Sequence, residues 1–176
     1  MERALLLAGV AGVGKSTVAG AIGGVLTAAG LVTAVVDTDA LAQFGPPPQR
    51  GGGFYDDLKC ANLSAVWANY RAAGARFVVV SAGIDSAALR DQYAGCLAGC
   101  EVQTVRLVAA VETVRRRLRE RDSGAALARH LRALDEQDAG LEAAAIGDFT
   151  VVNDRPVALV AREVVARAGW VASLPA

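Results

Sequence analysis

The sequence carries no net charge, because its 18 basic residues balance its 18 acidic residues. A neutral chain has no general electrostatic attraction for nucleic acid or for an anionic membrane surface. No apolar run approaches the length that is needed to span a bilayer. We therefore expect neither nucleic acid nor a membrane as a partner, and favour a small ligand at a local site.

Cysteine and histidine are scarce, and their spacing excludes the common metal and disulfide patterns. Cys60, Cys96 and Cys100 form no C-x-x-C pair and no zinc-like cluster with the single His130. The N-terminal segment MERALLLAGVAG has an apolar run too short for a signal peptide and continues into a glycine-rich loop. An odd number of cysteines without a secretion signal indicates reduced thiols, so we expect a cytoplasmic protein with its cysteines in the core.

The chain has 176 residues, of which 53% are hydrophobic, enough for one domain over residues 1–176 with a sizeable core. Five short apolar runs predict β-strands, and they are continuously apolar, as in strands that a parallel sheet buries on both faces. They are RALLLAG (3–9), TAVVD (33–37), RFVVVSAG (76–83), EVQTVRLV (101–108) and DFTVVN (148–153).

Helical patterns separate these strands, and Gly30 and Gly74 stand where helix C-caps are expected, while Pro156 suits a first helical turn. Alternating strands and helices predict an α/β fold of three α/β/α layers around a five-stranded parallel sheet. In such sheets, ligands bind beyond the carboxyl ends of the strands. The helices are predicted over residues 15–29, 57–73, 86–98, 111–121, 125–144 and 156–169.

Residues 9–16 read GVAGVGKS and match the phosphate-binding pattern G-x-x-x-x-G-K-[ST] at every position, between a predicted strand and a predicted helix. Small residues allow backbone N–H groups to converge on a phosphate, and the helix N-terminus points at the same anion. Lys15 is expected to reach the β- and γ-phosphates, and Ser16 to ligate Mg²⁺. The residues predicted to bind the nucleotide here are Gly9, Gly12, Val13, Gly14, Lys15, Ser16 and Thr17.

Two classes of nucleoside triphosphatase are excluded by missing motifs. A GTPase normally carries N-K-x-D, but the only lysine besides Lys15 is Lys59, which stands in DDLKCAN. A motor or transporter ATPase normally has an acid at the end of a long apolar strand, whereas the third strand ends VVVSAG with no acid before Asp85. The choice of nucleotide base stays open, with ATP as the expected one.

Asp37 and Asp39 follow the second strand in VVDTDAL, at the edge of the sheet where the phosphates are expected. A strand-to-helix turn can direct both side chains towards the phosphates. One carboxylate can support Mg²⁺ while the other accepts a proton from an attacking hydroxyl. We expect the metal role for Asp37 and the base for Asp39, but which of the two is the base stays open. Alternatively, one of the two serves only as a helix N-cap.

The glycine loop followed by Asp37-Thr-Asp39 resembles the small P-loop kinases, namely shikimate, gluconate and adenylylsulfate kinases and chloramphenicol phosphotransferase. The resemblance implies a P-loop fold with strand order 2-3-1-4-5, a helical lid near residues 115–135 and an acceptor-binding region near 40–73. SAGID and NLSAVWANYR stand where shikimate kinases have other motifs, and Ala40 replaces the asparagine of adenylylsulfate kinases. The C-terminal segment resembles uncharacterised actinobacterial kinase-like proteins.

The segment VETVRRRLRERDSG predicts an arginine-rich helix with an apolar stripe of Val111, Val114 and Leu118. Arg121 falls on the line of this stripe, so we expect Arg121 and Arg117 to act on the phosphates and other arginines of the helix to be solvated. Kinases of the resembled type place lid arginines here. Residues 123–124 are a candidate hinge.

The remaining candidates carry less specific signals. Arg155 and Pro156 follow the fifth strand, where related folds hold the adenine ring, although an ordinary turn explains them equally well. His130 has no acid partner that its spacing suggests, so we expect it on a polar face of the lid helix. The acceptor is expected to contact Asp39, Arg50, Asn62, Gly83 and Asp85.

Together these patterns predict an ATP- and Mg²⁺-dependent kinase that phosphorylates a hydroxyl group of a metabolite, nucleoside or antibiotic. Two alternatives stay open, a nucleotide-dependent switch with a protein partner and a nucleotide-binding module without chemistry of its own. The identity of the acceptor and the oligomeric state are not encoded in a recognisable motif.

Overall fold

The computed structural model of the chain describes residues 1–43, 55–138 and 146–170, in which strands and helices alternate. The described strands are Glu2–Ala8 (β1), Thr33–Asp37 (β2), Phe77–Ser81 (β3), Cys100–Val108 (β4) and Phe149–Val152 (β5). The described α-helices are Lys15–Ala28 (α1), Asp56–Ala72 (α2), Ala87–Gly95 (α3), Val111–Arg121 (α4), Gly124–Asp138 (α5) and Val157–Arg167 (α6). A 3-10 helix, Thr38–Ala42, follows β2 directly.

The five strands form one parallel sheet in the order β2-β3-β1-β4-β5, which confirms the predicted order. β1 lies at the centre, where Leu5 is in register with Val79 of β3 and Gln103 of β4. Its leucines are fully buried because helices cover both faces of the sheet. The two edge strands are more open, and Val35 of β2 and Val152 of β5 are partly exposed.

Alternate residues of β1 point to opposite faces of the sheet and enter two separate hydrophobic cores. Leu5 and Leu7 pack with α1 and α6, whereas Leu6 packs with α2 and α3 around Trp67 and Tyr93. Burying one leucine side chain contributes about 1.5–3 kcal/mol. These two cores produce the predicted three-layer arrangement, with the carboxyl ends of the strands at one edge.

A third hydrophobic cluster joins the predicted lid region to the glycine loop. Val114 and Leu118 of α4 are buried together with Leu134 of α5, and Val10 of the loop packs against them. The apolar stripe predicted on α4 is thus confirmed at its buried positions. The two helices of the lid region pack on each other and on the loop that precedes α1.

Helix ends follow the expected backbone chemistry with small shifts. Gly30 and Gly74 follow α1 and α2 with φ of 77° and 99°, conformations that glycine adopts without strain. Pro156 is the N-cap of α6 and stands just before its first turn, not within it. The predicted helix 125–144 is described to Asp138, and its remainder lies outside the described residues.

The three cysteines are free, as predicted, and none of the helices in the described ranges has the length and hydropathy of a membrane span. Cys60 belongs to the core beneath α2, and Cys96 and Cys100 pack against that core. Burial raises the pKa of the Cys60 thiol to about 12 and that of Cys100 to about 11. Both thiols are therefore protonated and weakly nucleophilic at neutral pH.

Candidate active site

The glycine loop connects the end of β1 at Ala8 to the start of α1 at Lys15, as the motif predicts. Gly9, Gly12 and Gly14 have φ of 141°, 81° and 101°, which are left-handed conformations that side chains disfavour. The loop can therefore turn backbone N–H groups towards the N-terminus of α1. Such convergent N–H groups at a helix N-terminus bind phosphate.

The loop glycines also have a packing role that the motif alone does not reveal. A Cβ on Gly9 would lie 2.5 Å from the carbonyl oxygen of Leu107, and a Cβ on Gly12 would lie 2.8 Å from Cγ of Leu118. A Cβ on Gly14 would lie 2.6 Å from Nδ2 of Asn153. Distances this short force neighbouring atoms to move. Glycine is thus required on the side of the loop that faces the protein.

Lys15 lies in the cradle that the loop forms, and its Nζ donates to the carbonyl oxygens of Gly9 at 2.8 Å and Val10 at 3.1 Å. Burial of the ammonium group lowers the pKa of Lys15 to about 8, although the carboxylates of Asp39 and Asp37 oppose this shift. Because the ammonium group is desolvated and donates to carbonyl oxygens, a bound phosphate would stabilise its charge. The cradle therefore fits a polyphosphate.

Ser16 and Asp37 form a compact set of oxygen donors beside Lys15. Oγ of Ser16 donates to Oδ2 of Asp37 at 2.5 Å and lies 3.2 Å from Oγ of Ser81. Mg²⁺ in nucleotide sites takes a few protein oxygens and completes its shell with phosphate oxygens and water. One hydroxyl, one carboxylate and a second hydroxyl nearby fit that requirement, although no cluster of three acidic, histidine or cysteine residues occurs in the described part of the chain.

Asp37 also caps the 3-10 helix after β2, because its Oδ1 accepts from the backbone N–H of Asp39 at 3.0 Å. The cap proposed as the alternative role for one of the two acids thus belongs to Asp37. Its other oxygen contacts Ser16, so the same carboxylate serves both the turn and the donor set. The turn places Asp39 beyond the end of β2.

Asp39 forms an ion pair with Lys59 of α2, with Nζ 2.6 Å from Oδ1. The lysine side chain is only 8% exposed, whereas the aspartate side chain is 76% exposed. The pair therefore fixes one carboxylate oxygen from the protein side and presents the rest of the carboxylate to the solvent. An exposed carboxylate that is held in position is suited to accept a proton from a bound hydroxyl.

The start of α2 is attached to α3 by two further acids. The hydroxyl of the buried Tyr93 donates to Oδ1 of Asp56 at 3.0 Å, and Nε2 of Gln92 donates to Oδ1 of Asp57 at 2.8 Å. Burial raises the pKa of Tyr93, so its hydroxyl stays a donor. These contacts hold the helix turn that carries Lys59.

Arg117 and Asn153 support the glycine loop from behind. Nδ2 of Asn153 donates to the carbonyl oxygen of Val13 at 2.8 Å, and Nη1 of Arg117 donates to the same oxygen at 3.1 Å. Nη2 of Arg117 donates to the carbonyl oxygen of Asn153 at 2.9 Å. Two donors on one loop carbonyl, one of them the buried Asn153, stabilise the loop conformation.

Arg121 is exposed at the end of α4 and is held by its neighbour in sequence. Its Nε and Nη2 donate to Oδ1 and Oδ2 of Asp122 at 2.7 and 2.8 Å. Nδ1 of His130 on α5 lies 2.7 Å from the same Oδ2. The expectation that His130 lacks an acid partner is wrong, because the bend between α4 and α5 brings residues eight positions apart into contact.

One pocket of about 910 Å³ collects most of the predicted site residues and several others. The glycine loop forms one part of its wall, and the residues after β2 and β3 form another. The predicted residues that line it are Gly9, Gly12, Gly14, Lys15, Ser16, Thr17, Asp39, Gly83, Asp85, Arg117, Arg121 and Arg155. Lining residues not predicted to act there include Asp56, Lys59, Ser81, His130 and Val157.

Among the described residues, four predicted positions do not line this pocket, namely Asp37, Val13, Asn62 and Pro156. Asp37 contacts Ser16, which does line it. Val13 is a fully buried core residue that contributes its backbone, and Asn62 donates through Nδ2 to the carbonyl oxygen of Leu41 at 2.5 Å. Asn62 thus attaches α2 to the 3-10 helix. Pro156 caps α6 beside the pocket. Arg50 lies outside the described residues.

Lys59 shows why single residues of a site escape sequence analysis. The contact with Asp39 joins residues 20 positions apart, and no spacing rule connects a helix to a preceding turn at that distance. The one signal was composition, since a chain with 18 basic residues places its only two lysines in this pocket. Arg155 was predicted from position alone; it lines the pocket and forms an ion pair with Glu163 of α6.

A family model described as an AAA domain matches residues 5–144 of the chain. No curated protein is significantly similar in sequence.

Solved structures of several kinases share the fold along nearly the whole chain. Shikimate kinase from Acinetobacter baumannii in complex with shikimate is 16% identical with a TM-score of 0.65, covering 97% of this chain and 94% of that one. APS kinase CysC from Mycobacterium tuberculosis, in complex with AMPPNP and APS, is 21% identical with a TM-score of 0.59, covering 96% and 98%. A gluconokinase from Sinorhizobium meliloti 1021 is 24% identical with a TM-score of 0.58, covering 96% and 92%.

Proposed function

Because the chain belongs to the AAA domain family, with the fold of the small kinases, we propose that it is an ATP- and Mg²⁺-dependent kinase. Its acceptor is a hydroxyl group of a small molecule, such as a metabolite, a nucleoside or an antibiotic. Bound ATP with Mg²⁺ supplies an activated phosphoryl group.

The observation that carries the proposal is that one pocket contains both a phosphate cradle and a separate acidic wall. The glycine loop and the first residues of α1 line one part of it, and Asp39, Asp56 and Asp85 line another, beyond the donor set of Ser16. A site that only hydrolyses a nucleotide, or that binds it only to switch the conformation of the protein, does not need a second polar wall in the same cavity. An acceptor that is seated against the acids would lie next to the terminal phosphate, which is the arrangement that group transfer requires.

The groups around the cradle can be assigned roles that follow from their charge. Lys15 stabilises negative charge on the β- and γ-phosphates, since its ammonium group is buried and has only carbonyl partners. Ser16 and Asp37 hold the metal ion through oxygen. Arg121 contributes positive charge from α4. Arg117, on the same helix, acts mainly through the loop that it supports.

Asp39 is the general base in this proposal. Oδ1 is held by Lys59, so Oδ2 is the oxygen left to accept the proton of the acceptor hydroxyl. The hydroxyl oxygen then bonds to the γ-phosphorus while the bond from that phosphorus to the β–γ bridging oxygen breaks. The proton ends on Asp39 and the electron pair of the broken bond ends on the leaving ADP.

A phosphate-transfer screen tests this function. Purified protein is incubated with ATP labelled in the γ-phosphate, Mg²⁺ and pools of hydroxyl-bearing metabolites, nucleosides and antibiotics, and labelled products are separated. We expect transfer to one chemical class, lost in Lys15→Met and Asp39→Asn. Asp91→Asn is the matched control, because Asp91 is an exposed acid of α3 that pairs with Arg90 outside the pocket.

Two results would contradict the proposal. Transfer that persists at the wild-type rate in a folded Asp39→Asn variant would show that Asp39 is not the general base. Hydrolysis that a protein partner stimulates, without transfer to any acceptor, would favour the nucleotide-dependent switch instead.

A further inference from the structure

Arg121 stands at the phosphate end of the pocket, although its side chain is 54% exposed. Its charge lies close enough to Lys15 to help lower the pKa of that lysine, and close enough to Asp39 for the aspartate to help raise the pKa of Arg121. Arg121 therefore carries its positive charge near both the phosphate cradle and the proposed base, in the wall of the same pocket. An arginine at this place can stabilise negative charge on the transferred phosphoryl group.

A long, exposed arginine needs support to stay in one place, and Asp122 supplies it. Two parallel hydrogen bonds join the Nε–Nη2 edge of Arg121 to the two oxygens of Asp122, at 2.7 and 2.8 Å. A bidentate pair of this kind fixes the plane of the guanidinium as well as its position. Within the described residues no hydrogen bond engages Nη1, so this side of the group is available for a phosphate oxygen. The Asp122 side chain itself is only 12% exposed.

His130 fixes Asp122 in turn. The hydrogen bonds from Arg121 keep the pKa of Asp122 well below its ordinary value, so this carboxylate is ionised and only accepts hydrogen bonds. The 2.7 Å contact between Oδ2 and Nδ1 of His130 therefore assigns the proton of that contact to Nδ1. His130 comes from α5, so the contact connects the end of α4 to the second helix of the lid region.

We propose that Asp122 and His130 are positioning residues, which hold the guanidinium of Arg121 at the phosphate end of the pocket. The inference rests on the proposed function, since Arg121 has a task only if a nucleoside triphosphate binds in the cradle. Asp122 orients the guanidinium of Arg121. His130 holds the carboxylate of Asp122, so that the carboxylate and the guanidinium do not rotate away together. None of the three needs to contact the acceptor.

The competing explanation is that Asp122 and His130 have only a structural role and serve to link the end of α4 to α5. The structure contains a second link of that type, since Nη2 of Arg115 on α4 donates to Oδ1 of Asp135 on α5 at 2.6 Å. Neither of these two residues lines the pocket. Asp135→Asn therefore removes an α4–α5 ion pair without touching Arg121 and is the matched control.

The test uses the full-length protein and two probes, ADP and the non-hydrolysable analogue AMPPNP, each with Mg²⁺. Calorimetry gives the affinity for each probe. The ratio of the AMPPNP affinity to the ADP affinity reports how strongly the protein contacts the γ-phosphate. We expect Arg121→Ala to lower this ratio by about tenfold, because a charge-assisted contact is lost. Asp122→Asn should lower it by a similar factor, and Asp135→Asn should leave it at the wild-type value.

Two further variants distinguish positioning from general damage to the fold. Once Arg121 is alanine, adding Asp122→Asn should change the ratio no further, since the group to be oriented is gone. His130→Asn keeps a donor near the place of Nδ1 and should preserve the ratio, whereas His130→Ala should lower it. Thermal unfolding of each variant shows whether it is folded, and the His130 variants decide the question if Asp122→Asn does not fold.

The inference is overturned if folded Asp122→Asn and His130→Ala bind both probes like the wild type while Arg121→Ala loses its preference for AMPPNP. It is also overturned if the effects of Arg121→Ala and Asp122→Asn add fully in the double variant. Failure of the proposed function is a different result, because the wild-type protein would then bind neither ADP nor AMPPNP, or would bind both and transfer phosphate to no acceptor in the screen.

Discussion

Nζ of Lys59 lies 2.6 Å from Oδ1 of Asp39, and the two side chains differ sharply in exposure, with 8% for the lysine and 76% for the aspartate. The lysine is buried in the protein, and among the described residues this carboxylate is its one ion-pair partner. The aspartate has solvent as an alternative partner. The pair is therefore asymmetric, and removing either member has a different consequence.

The first prediction concerns this asymmetry. Asp39→Asn leaves a buried ammonium group without its counter-ion and is expected to lower the free energy of unfolding by about 1–3 kcal/mol. Lys59→Met removes the charge that needs a partner, so this variant should be more stable than Asp39→Asn. Chemical denaturation of both variants and of the double variant measures these differences. Equal destabilisation by both single variants would contradict the asymmetry.

The second prediction concerns the ammonium group of Lys15. Burial lowers its pKa to about 8, so the free protein loses this charge as the pH rises through that value. A bound phosphate stabilises the ammonium form and raises the pKa again. Nucleotide binding at about pH 9 should therefore take up close to one proton, and the affinity should fall as the pH rises above about 8. Calorimetry in buffers with different ionisation enthalpies measures the uptake.

Lys15→Arg provides the comparison for this experiment. A guanidinium stays charged across the whole range, so any binding that the variant retains should occur without proton uptake. An affinity of the wild-type protein that is constant from about pH 7 to about pH 9, with no uptake, would show that Lys15 keeps an ordinary pKa.

The third prediction concerns Gly12. Its φ is 81°, and an added Cβ would lie 2.8 Å from Cγ of Leu118. Gly12→Ala should lower the free energy of unfolding by about 1–3 kcal/mol and weaken nucleotide binding, because the loop must move away from α4. Thermal unfolding and ADP titration measure the two effects.

Gly20→Ala is the matched control for Gly12→Ala. Gly20 lies in α1, and an added Cβ there meets nothing within 4 Å. Alanine in a helix interior is favoured over glycine by about 0.5–1 kcal/mol, so this variant should be more stable than the wild type. A Gly12→Ala protein as stable as Gly20→Ala would refute the strain and the close contact together.

The fourth prediction concerns the two roles of Asp37. Asn is as good an N-cap as Asp, so Asp37→Asn should preserve the turn into the 3-10 helix and the stability of the fold. The loss of negative charge beside Ser16 should raise the Mg²⁺ concentration for half-maximal phosphate transfer by about tenfold. A magnesium titration of Asp37→Asn and of the control Asp91→Asn checks this. An unchanged requirement would assign Asp37 to the turn alone.

The sheet and the phosphate loop were predictable from the sequence because they depend on local patterns. Continuous apolar runs mark strands buried on both faces, and β1 indeed has its leucines fully buried between two helical layers. The spacing of Gly9, Gly14 and Lys15 specifies a loop between a strand and a helix, and the structure has β1 and α1 there. The strand order came from resemblance, since hydrophobic periodicity does not encode it.

The residues that the sequence concealed are those whose partners come from another element. Lys59 contacts Asp39 across 20 positions, and His130 contacts Asp122 across the break between two helices. Asn62 was expected at the acceptor but contacts a backbone carbonyl, which depends on how α2 lies against the 3-10 helix. Such pairings follow from tertiary packing, for which the local pattern carries no signal.

The bond from Asn153 to the carbonyl oxygen of Val13 spans 140 positions, from the exit of the last strand to the loop after the first. During synthesis on the ribosome, the glycine loop therefore emerges 140 positions ahead of its rear support. Since domains fold during vectorial synthesis largely as units, a nascent chain that ends before β5 should not retain nucleotide, however well its first four strands have formed.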